Sequence, residues 1–487
     1  MQGTRWKVLI AFLGTVFTLV VADEGHAQEP QGVKVDVSEE LQTAQQVLAT
    51  DQLKKALQYT DRSRDETIQE FLRVCNANGP AGDEIYRARH IHRLFRIYGL
   101  ENVHIDDQRN VIGIRRGTGE GPTVVLNAHM DVVAQWPKEQ PIQAFVADGR
   151  IWCPGASDDL IGVVQVLTIL RALNAADIRT KGDIWFVMFS YEEQNNDMAS
   201  PGAELFVRSN YPHNIDWRKG DILVQLHGDG GEGASTGSID MEHTSQLRVF
   251  VPVDRNAWAG HAVDVLGHIM VRLSNEVRDP RAGPISNYPR GYEPDFSRPA
   301  DLLYMNMAVV EGGQFLNQPV SEASLRLDLI AATEARLWQA HNDIQRIAQE
   351  VCQEMGEGCT YHYSINSKRG IEEGIEGWDM LNNAPARMAA AAAQALYGIT
   401  PYIIPVRGCG DCARAYMDGM PAMSLRGYVW DYGNGRFEVG GSHPLVSEVR
   451  RMTANHDVTG SVDINKIWAG VKQGLLFTVS YAGMAQE

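Results

Sequence analysis

The chain has 487 residues, of which 44% are hydrophobic, so it is long enough to bury a large core and to form two or more domains. Its formal net charge of −17 at pH 7 argues against the basic surface that nucleic-acid-binding proteins usually carry, and we expect no nucleic-acid partner. Small molecules or peptides are the partners that this composition favours.

The first 27 residues have the pattern of a secretory signal peptide. Arg5 and Lys7 precede an apolar stretch over residues 8–22, and small residues lead to Ala27. This stretch is shorter than a membrane span usually is, although an uncleaved anchor is the alternative interpretation. We therefore expect a soluble, secreted protein, periplasmic in a bacterium, after cleavage of residues 1–27.

The next part of the chain alternates between helical and strand patterns. A polar helical stretch over residues 38–72 is followed by an amphipathic helix that ends near Gly99. The apolar runs that follow, in chain order, are NVIGIRR, TVVLNAH, the helical DDLIGVVQVLTILRAL, DIWFVMFS and DILVQLH. Nearly continuous apolar strands separated by helices predict an α/β fold with a mostly parallel twisted sheet flanked by helices.

Residues 244–370 follow a different order, which predicts an inserted domain. The patterns run strand, helix, strand, strand, helix, strand, the βαββαβ order of a two-layer ferredoxin-like unit. Helix and strand alternation then resumes with the Ala-rich PARMAAAAAQALYG and the strand PAMSLRG. The sheet domain is accordingly predicted in two parts, residues 38–243 and 371–487.

The six cysteines are compatible with an oxidising compartment. Cys352 lies close to Cys359, and Cys409 and Cys412 form a CxxC pair. Either pair could form a disulfide. A zinc site on all four thiolates and a redox-active CxxC are alternatives that the spacing leaves open.

Acidic residues and histidines follow several of the predicted strands. TVVLNAH ends at His129 and precedes Asp131, DIWFVMFS precedes Glu192 and Glu193, and Asp229 follows DILVQLH. Asp158 opens the helix of CPGASDDLIG. In open α/β sheets, functional side chains gather at the carboxyl ends of the strands, so these residues are expected to converge.

This series of motifs, with a late GSHPLVSE that contains His443, resembles the M20 family of metallopeptidases. The resemblance extends over nearly the whole mature chain, including GTGEGPTVVLNAHMDVV and GGQFLNQPVSEASLRLDL. It implies that residues 38–243 and 371–487 form a zinc exopeptidase-like catalytic domain and that residues 244–370 form its lid or dimerisation domain. PGASDD and EEQ also resemble the related M28 aminopeptidases, but the long insert favours M20.

The resemblance implies a site for two Zn²⁺ ions, with Co²⁺ or Mn²⁺ as substitutes. His129 and Asp229 would bind one ion, Glu193 and His443 the other, and Asp158 would bridge them. Imidazole and carboxylate ligands suit zinc. Asp131 would orient the His129 imidazole, because residues two apart on an extended chain point to the same side. Neighbouring residues point to opposite sides, so Glu192 is expected to act as the general base beside the ligand Glu193.

Three further residues are candidates for binding substrate. A histidine of the inserted domain contacts the substrate in the M20 family, and His261 in NAWAGHAVDVLGH matches best, with His268 as a competitor and capping of the next helix as the structural alternative. Asn317 in GGQFLNQP fits the asparagine of the family. The family often has an arginine at the end of a strand of the lid, and Ile330 replaces it in this chain. This leaves Arg407 as the candidate for binding a substrate carboxylate.

The resulting hypothesis is a zinc-dependent exopeptidase that hydrolyses short peptides with metal-activated water. A deacylase of N-acyl amino acids would use the same site on a different amide. A metallopeptidase fold that only binds its ligand is the alternative without catalysis. The resemblance also implies that the chain could form a homodimer through residues 244–370.

Overall fold

The computed structural model describes residues 33–133, 143–193, 200–227, 234–238, 241–252, 261–278, 303–313, 319–331, 333–369, 374–379, 382–398, 402–406, 410–426, 430–431, 437–438 and 460–485. The strands in these ranges are β1 Val33–Lys34, β2 Glu101–Ile105, β3 Val111–Arg115, β4 Val124–His129, β5 Phe145–Ala147, β6 Arg150–Trp152, β7 Ile184–Phe189, β8 Ile222–His227, β9 Ala234–Ser238, β10 Met241–Phe250, β11 Leu303–Gly312, β12 Glu322–Ala331, β13 Thr360–Arg369, β14 Tyr402–Val406, β15 Ala422–Arg426, β16 Trp430–Asp431, β17 Phe437–Glu438 and β18 Ser461–Asp463. The helices are α1 Ser38–Ala49, α2 Asp51–Arg62, α3 Arg64–Asn76, α4 Ile85–Ile97, α5 Ile161–Ala175, α6 Pro201–Asn210, α7 Ala262–Arg272, α8 Glu334–Met355, α9 Ala384–Tyr397, α10 Gly410–Met417 and α11 Ile464–Ala482.

The largest sheet has the strand order β1-β14-β9-β15-β8-β4-β7-β3-β2 over the described residues. Its centre is parallel, because β4 pairs in parallel with both β7 and β8, and β8 pairs in parallel with β15. Antiparallel strands, β2 and β3 on one side and β1 on the other, complete its edges. The predicted fold class, a mostly parallel sheet with helices, is confirmed.

Both faces of this sheet are covered, which explains the nearly continuous apolar runs of its central strands. On β4, Val124 and Leu126 belong to one buried cluster, while Val125 between them belongs to another on the opposite face. Helices α5 and α11 pack on the first face, and α6 and α10 pack on the second. A strand with two buried faces has no polar alternation, as expected for a parallel sheet between helices.

The inserted unit between β9 and α9 has its own sheet, in the order β11-β12-β10-β13, and these strands are all antiparallel neighbours. Helices α7 and α8 cover one face of that sheet and share a separate apolar core with it. The chain order is βαββαβ, in agreement with the predicted fold class. The predicted bounds of the insert, residues 244 and 370, fall within β10 and directly after β13.

Two disulfides lie within the part of the chain that the structure describes. Cys352 on α8 is bonded to Cys359, and Cys75 on α3 is bonded to Cys153 after β6. The Cys352–Cys359 bond is one of the two pairings that the sequence left open. It rules out a zinc site on the four thiolates of Cys352, Cys359, Cys409 and Cys412. The sulfur of Cys412 donates a hydrogen bond to Gln225 Oε1 at 3.4 Å, and Cys409 lies outside the described residues. None of the described helices has the length and apolar character needed to cross a membrane.

Two histidines are stacked in the insert between its sheet and α8. His243 Nδ1 lies 2.9 Å from His341 Nε2, and His341 Nδ1 lies 2.5 Å from the hydroxyl of Tyr363. Burial, with the nearby charge of Lys368, lowers the pKa of His243 to about 4, although Glu334 and Glu242 oppose this shift. Burial, His243 and Lys368 lower the pKa of His341 to about 4 as well. Both rings are therefore neutral in the folded protein at neutral pH.

We expect the stability of the insert to fall as the pH is lowered from about 6.5 to about 4. In this window the histidines of the unfolded chain take up protons that the folded rings exclude, so unfolding is favoured. Hydrogen exchange of the β10 and α8 amides, measured by mass spectrometry at several pH values, should report faster opening toward acidic pH. His243→Asn combined with His341→Asn should reduce this dependence, whereas the exposed control His362→Asn should leave it unchanged. An unchanged dependence in the double variant would contradict the prediction.

Candidate metal centre

Three adjacent strands end at the same edge of the main sheet and bring their terminal residues together. The register of β4 and β8 sets Asn127 beside Gln225, so His129 and His227, two residues further along, also lie near each other. Their ring centroids are 5.5 Å apart. Strand β7, on the other side of β4, leads into Glu192 and Glu193. Parallel pairing thus brings four potential ligands to one edge.

Asp158 joins the two imidazoles. It lies in the turn Ala156–Leu160 that precedes α5, and its side chain is nearly buried. Asp158 Oδ1 is 3.0 Å from His129 Nε2 and 3.2 Å from His227 Nε2. One carboxylate therefore contacts histidines from two different strands.

Asp131 holds the segment that carries the two glutamates. Its Oδ1 accepts a hydrogen bond from the backbone N–H of Glu192 at 3.0 Å, and its Oδ2 accepts one from the N–H of Glu193 at 2.8 Å. The same carboxylate lies 3.5 Å from His129 Nδ1. Asp131 thus lies beside the imidazole that it is predicted to orient, and it also fixes the backbone of both glutamates.

Two groups of described residues could each hold a metal ion. The first group consists of His129, Asp158 and His227, and the second consists of His129, Glu192 and Glu193. The candidate ligand atoms of each group lie within 4.8 Å of one another. Glu192 Oε2 is 4.0 Å from His129 Nε2. The two groups share His129, so the described residues form one continuous cluster.

The carboxylates of the cluster change the titration of the residues beside them. Burial disfavours protonation of His129, yet Glu192, Asp131 and Asp158 together raise the pKa of its imidazole well above 6.5. Nearby, burial and the charge of Asp131 raise the pKa of Glu84 to about 7. Carboxylates in a buried site are costly unless a positive charge accompanies them, and a divalent cation would supply it.

The structure brings together five residues predicted from the sequence: His129, Asp131, Asp158, Glu192 and Glu193. The other predicted ligands, Asp229 and His443, and the predicted substrate-binding residues Asn317 and Arg407 lie outside the described residues.

His261 precedes α7 and makes no side-chain hydrogen bond to the start of that helix. Its Nδ1 instead accepts a hydrogen bond from the N–H of Val320 at 3.1 Å, which connects the start of α7 to the segment before β12. His261 is thus the N-cap residue of α7 by position but does not cap the helix with its side chain, and its contact with substrate stays a prediction.

His227 is not among the ligands predicted from the sequence. The signal was present, because His227 is the last residue of DILVQLH just as His129 is the last residue of TVVLNAH. A histidine that ends an apolar strand next to a known site strand is a candidate for the same site.

A mostly parallel sheet that presents histidines and carboxylates at adjacent strand ends is typical of metal-dependent hydrolases. The model of the peptidase family M20/M25/M40 matches residues 125–451, which is more than half of the chain. The protein belongs to this family.

Three known proteins illustrate the similarity. A cysteinylglycine-S-conjugate dipeptidase of Corynebacterium striatum is 28% identical over 196 residues, which cover 36% of this chain and 39% of that protein. A succinyl-diaminopimelate desuccinylase of Leptothrix cholodnii is 32% identical over 104 residues, 20% of this chain and 27% of that protein. The matches thus span about two fifths and about a quarter of these relatives. The solved structure of a dipeptidase from Saccharomyces cerevisiae superposes with a TM-score of 0.65 at 11% identity, covering 88% of this chain and 98% of the other.

Proposed function

We propose that the protein is a metal-dependent exopeptidase that hydrolyses the peptide bond of short peptides. Two divalent cations, with Zn²⁺ as the first choice of metal, would be held at the strand ends. The observation that carries this proposal is the contact of His129 and His227 with the same oxygen of Asp158. Membership of the peptidase family and the similarity to a dipeptidase support the substrate class.

The donor set fits such ions. Imidazole nitrogens and carboxylate oxygens are the usual zinc ligands, and the raised pKa of His129 indicates that the cluster favours a cation. His129, Asp158, His227 and Glu193 would hold the metal, with Asp229 and His443 as further predicted ligands. When bound, the ions would polarise the scissile carbonyl and activate a water molecule.

The residues around the ions would transfer protons and position the reacting groups. Glu192 would take the proton from the attacking water and deliver it to the leaving amine, as a general base and then a general acid. Asp131 would keep the Glu192 side chain in position, because it binds the backbone N–H groups of both Glu192 and Glu193. It would also orient the imidazole of His129, 3.5 Å away.

A panel of dipeptides, tripeptides, succinylated amino acids and other N-acyl amino acids, followed by mass spectrometry, tests the substrate class. Cleavage of peptides with a free terminus supports the exopeptidase. Exclusive release of acyl groups would favour a deacylase, the second candidate, which the similarity to a desuccinylase supports. Wild-type protein that binds zinc without cleaving any member of a broad library would overturn the catalytic proposal.

His227→Ala should weaken metal binding by about 100-fold or more, because the variant lacks an imidazole that contacts Asp158. Isothermal titration of the metal-depleted protein with Zn²⁺ measures the effect. His213→Ala, which alters an exposed histidine outside the cluster, is the matched control and should bind as wild type does. Unchanged zinc affinity and stoichiometry in His227→Ala would restrict the ligand set to the residues proposed from the sequence.

We also propose export after removal of residues 1–27 and dimerisation through the insert, residues 244–370. The disulfides Cys75–Cys153 and Cys352–Cys359 support an oxidising compartment. Cell fractionation with N-terminal sequencing tests export, and light scattering of the protein with and without residues 244–370 replaced by a short linker tests dimerisation.

A further inference from the structure

The disulfide between Cys75 and Cys153 adjoins the proposed metal centre. Cys153 follows β6 and precedes the bridging residue Asp158 by five positions, and Cys75 lies in the last turn of α3. Both are buried, and their Cα atoms are 6.2 Å apart across a sequence separation of 78 residues. The bond therefore joins the loop of Asp158 to a helix on the face of the main sheet.

The loop from Cys153 to Asp158 is closely packed against the chain that follows His129. The carbonyl of Cys153 accepts a hydrogen bond from the N–H of Ala156 at 3.1 Å, and the N–H of Cys153 donates to the carbonyl of Gly460 at 2.9 Å. Gly155 has φ +70°, and a Cβ at this position would lie 2.0 Å from Cγ1 of Val132. Gly155 therefore packs directly against Val132, three residues after His129.

The other end of the disulfide is anchored to the same strand. The buried guanidinium of Arg87 donates to the carbonyls of Val74 at 3.1 Å and Gly79 at 3.2 Å, and also to the carbonyl of Met130. Met130 directly follows His129. Arg87 thus fixes the C-terminal end of α3 to the end of β4, and the disulfide fixes the Asp158 loop to that helix.

We infer that the Cys75–Cys153 disulfide is a positioning element of the metal centre: it holds the loop of Asp158 at the distance from His129 that metal binding requires, and it thereby sets the affinity for metal. The inference depends on the proposed function, since it concerns the same ions. Residues that position ligands without touching the metal typically change metal affinity by about 10- to 100-fold.

The second disulfide provides a matched control. Cys352–Cys359 links residues only seven positions apart, in the insert. The test compares the Zn²⁺ dissociation constants of wild type, Cys75→Ala/Cys153→Ala and Cys352→Ala/Cys359→Ala, measured by competition with a chromophoric chelator, after circular dichroism has established that each is folded. We expect about 10- to 100-fold weaker binding in the first variant and wild-type affinity in the second.

A third variant separates positioning from general loss of stability. Loss of a cross-link that closes a long loop also destabilises the fold. Val479→Ala removes buried volume from α11 and destabilises the domain without changing the cluster. If it weakens zinc binding as much as loss of the disulfide does, or if Cys75→Ala/Cys153→Ala binds zinc with the affinity of wild type, the inference is wrong. Wild type that binds no zinc at all would instead refute the proposed function.

A second measurement applies if Cys75→Ala/Cys153→Ala does not fold. Folded, zinc-loaded Cys352→Ala/Cys359→Ala protein is treated with a phosphine, which reduces the Cys75–Cys153 bond. Each sulfur receives a proton and the phosphine becomes its oxide with oxygen from water. Mass spectrometry after alkylation follows the Cys75 and Cys153 thiols, and a fluorescent indicator follows free zinc. Zinc release should accompany the appearance of these thiols, and zinc retained by the fully reduced, folded protein would overturn the inference.

Discussion

Glu192→Gln is expected to lower kcat by roughly 10²- to 10⁴-fold while metal binding stays near that of wild type. The amide has nearly the same shape as the carboxylate but cannot take a proton from water. The segment should keep its conformation, because Asp131 binds the backbone N–H of Glu192 and not its side chain. Steady-state kinetics on the best substrate of the panel, together with zinc titration, would measure both effects.

The neighbouring residue provides the contrast for this experiment. Glu193→Gln removes a proposed ligand, so it should weaken zinc binding, and part of its activity should return at high zinc concentration. Glu204→Gln, on α6 outside the cluster, should leave both properties unchanged. Turnover of Glu192→Gln close to that of wild type would exclude Glu192 as the general base.

The main sheet could be predicted because its central strands are apolar on both faces. Val124, Val125 and Leu126 are all buried, so β4 shows the continuous apolar pattern that distinguishes a parallel strand between helices from a solvent-facing one. The short strand β9 was not predicted. It pairs in parallel with β14 and antiparallel with β15, partners far along the chain that its own sequence does not specify.

The cluster could be predicted in part because strand ends converge in this type of sheet. Asp131 and Glu193 are 62 residues apart, and the hydrogen bond between them depends on the pairing of β4 with β7, which a local pattern does not reveal. The motif after β8 pointed to Asp229, and His227 was not predicted although it ends that strand as His129 ends β4; the strand register then shows that His227 adjoins Asp158. The Cys75–Cys153 pairing likewise depends on tertiary structure, since neither residue has a local signal for its partner.

Asp158→Asn is expected to have the broadest effect, because Asp158 Oδ1 contacts both His129 and His227. The variant keeps the size of the side chain but loses the negative charge that would bridge two cations. Zinc affinity should fall by more than about 100-fold, beyond the range typical of residues that only position ligands, and activity should fall at least in proportion. Metal content by mass spectrometry and the zinc dissociation constant measure this directly.

The adjacent Asp159→Asn variant is the control that distinguishes metal binding from loss of folding. Asp159 accepts hydrogen bonds from the backbone N–H groups of His129 at 3.3 Å and Gly162 at 3.2 Å, so its replacement should lower stability. Its zinc affinity should nevertheless fall less than that of Asp158→Asn. If the two variants lose zinc affinity equally, Asp158 acts through the fold and is not a bridging ligand. The metal would then be bound by Glu193 and by ligands other than Asp158.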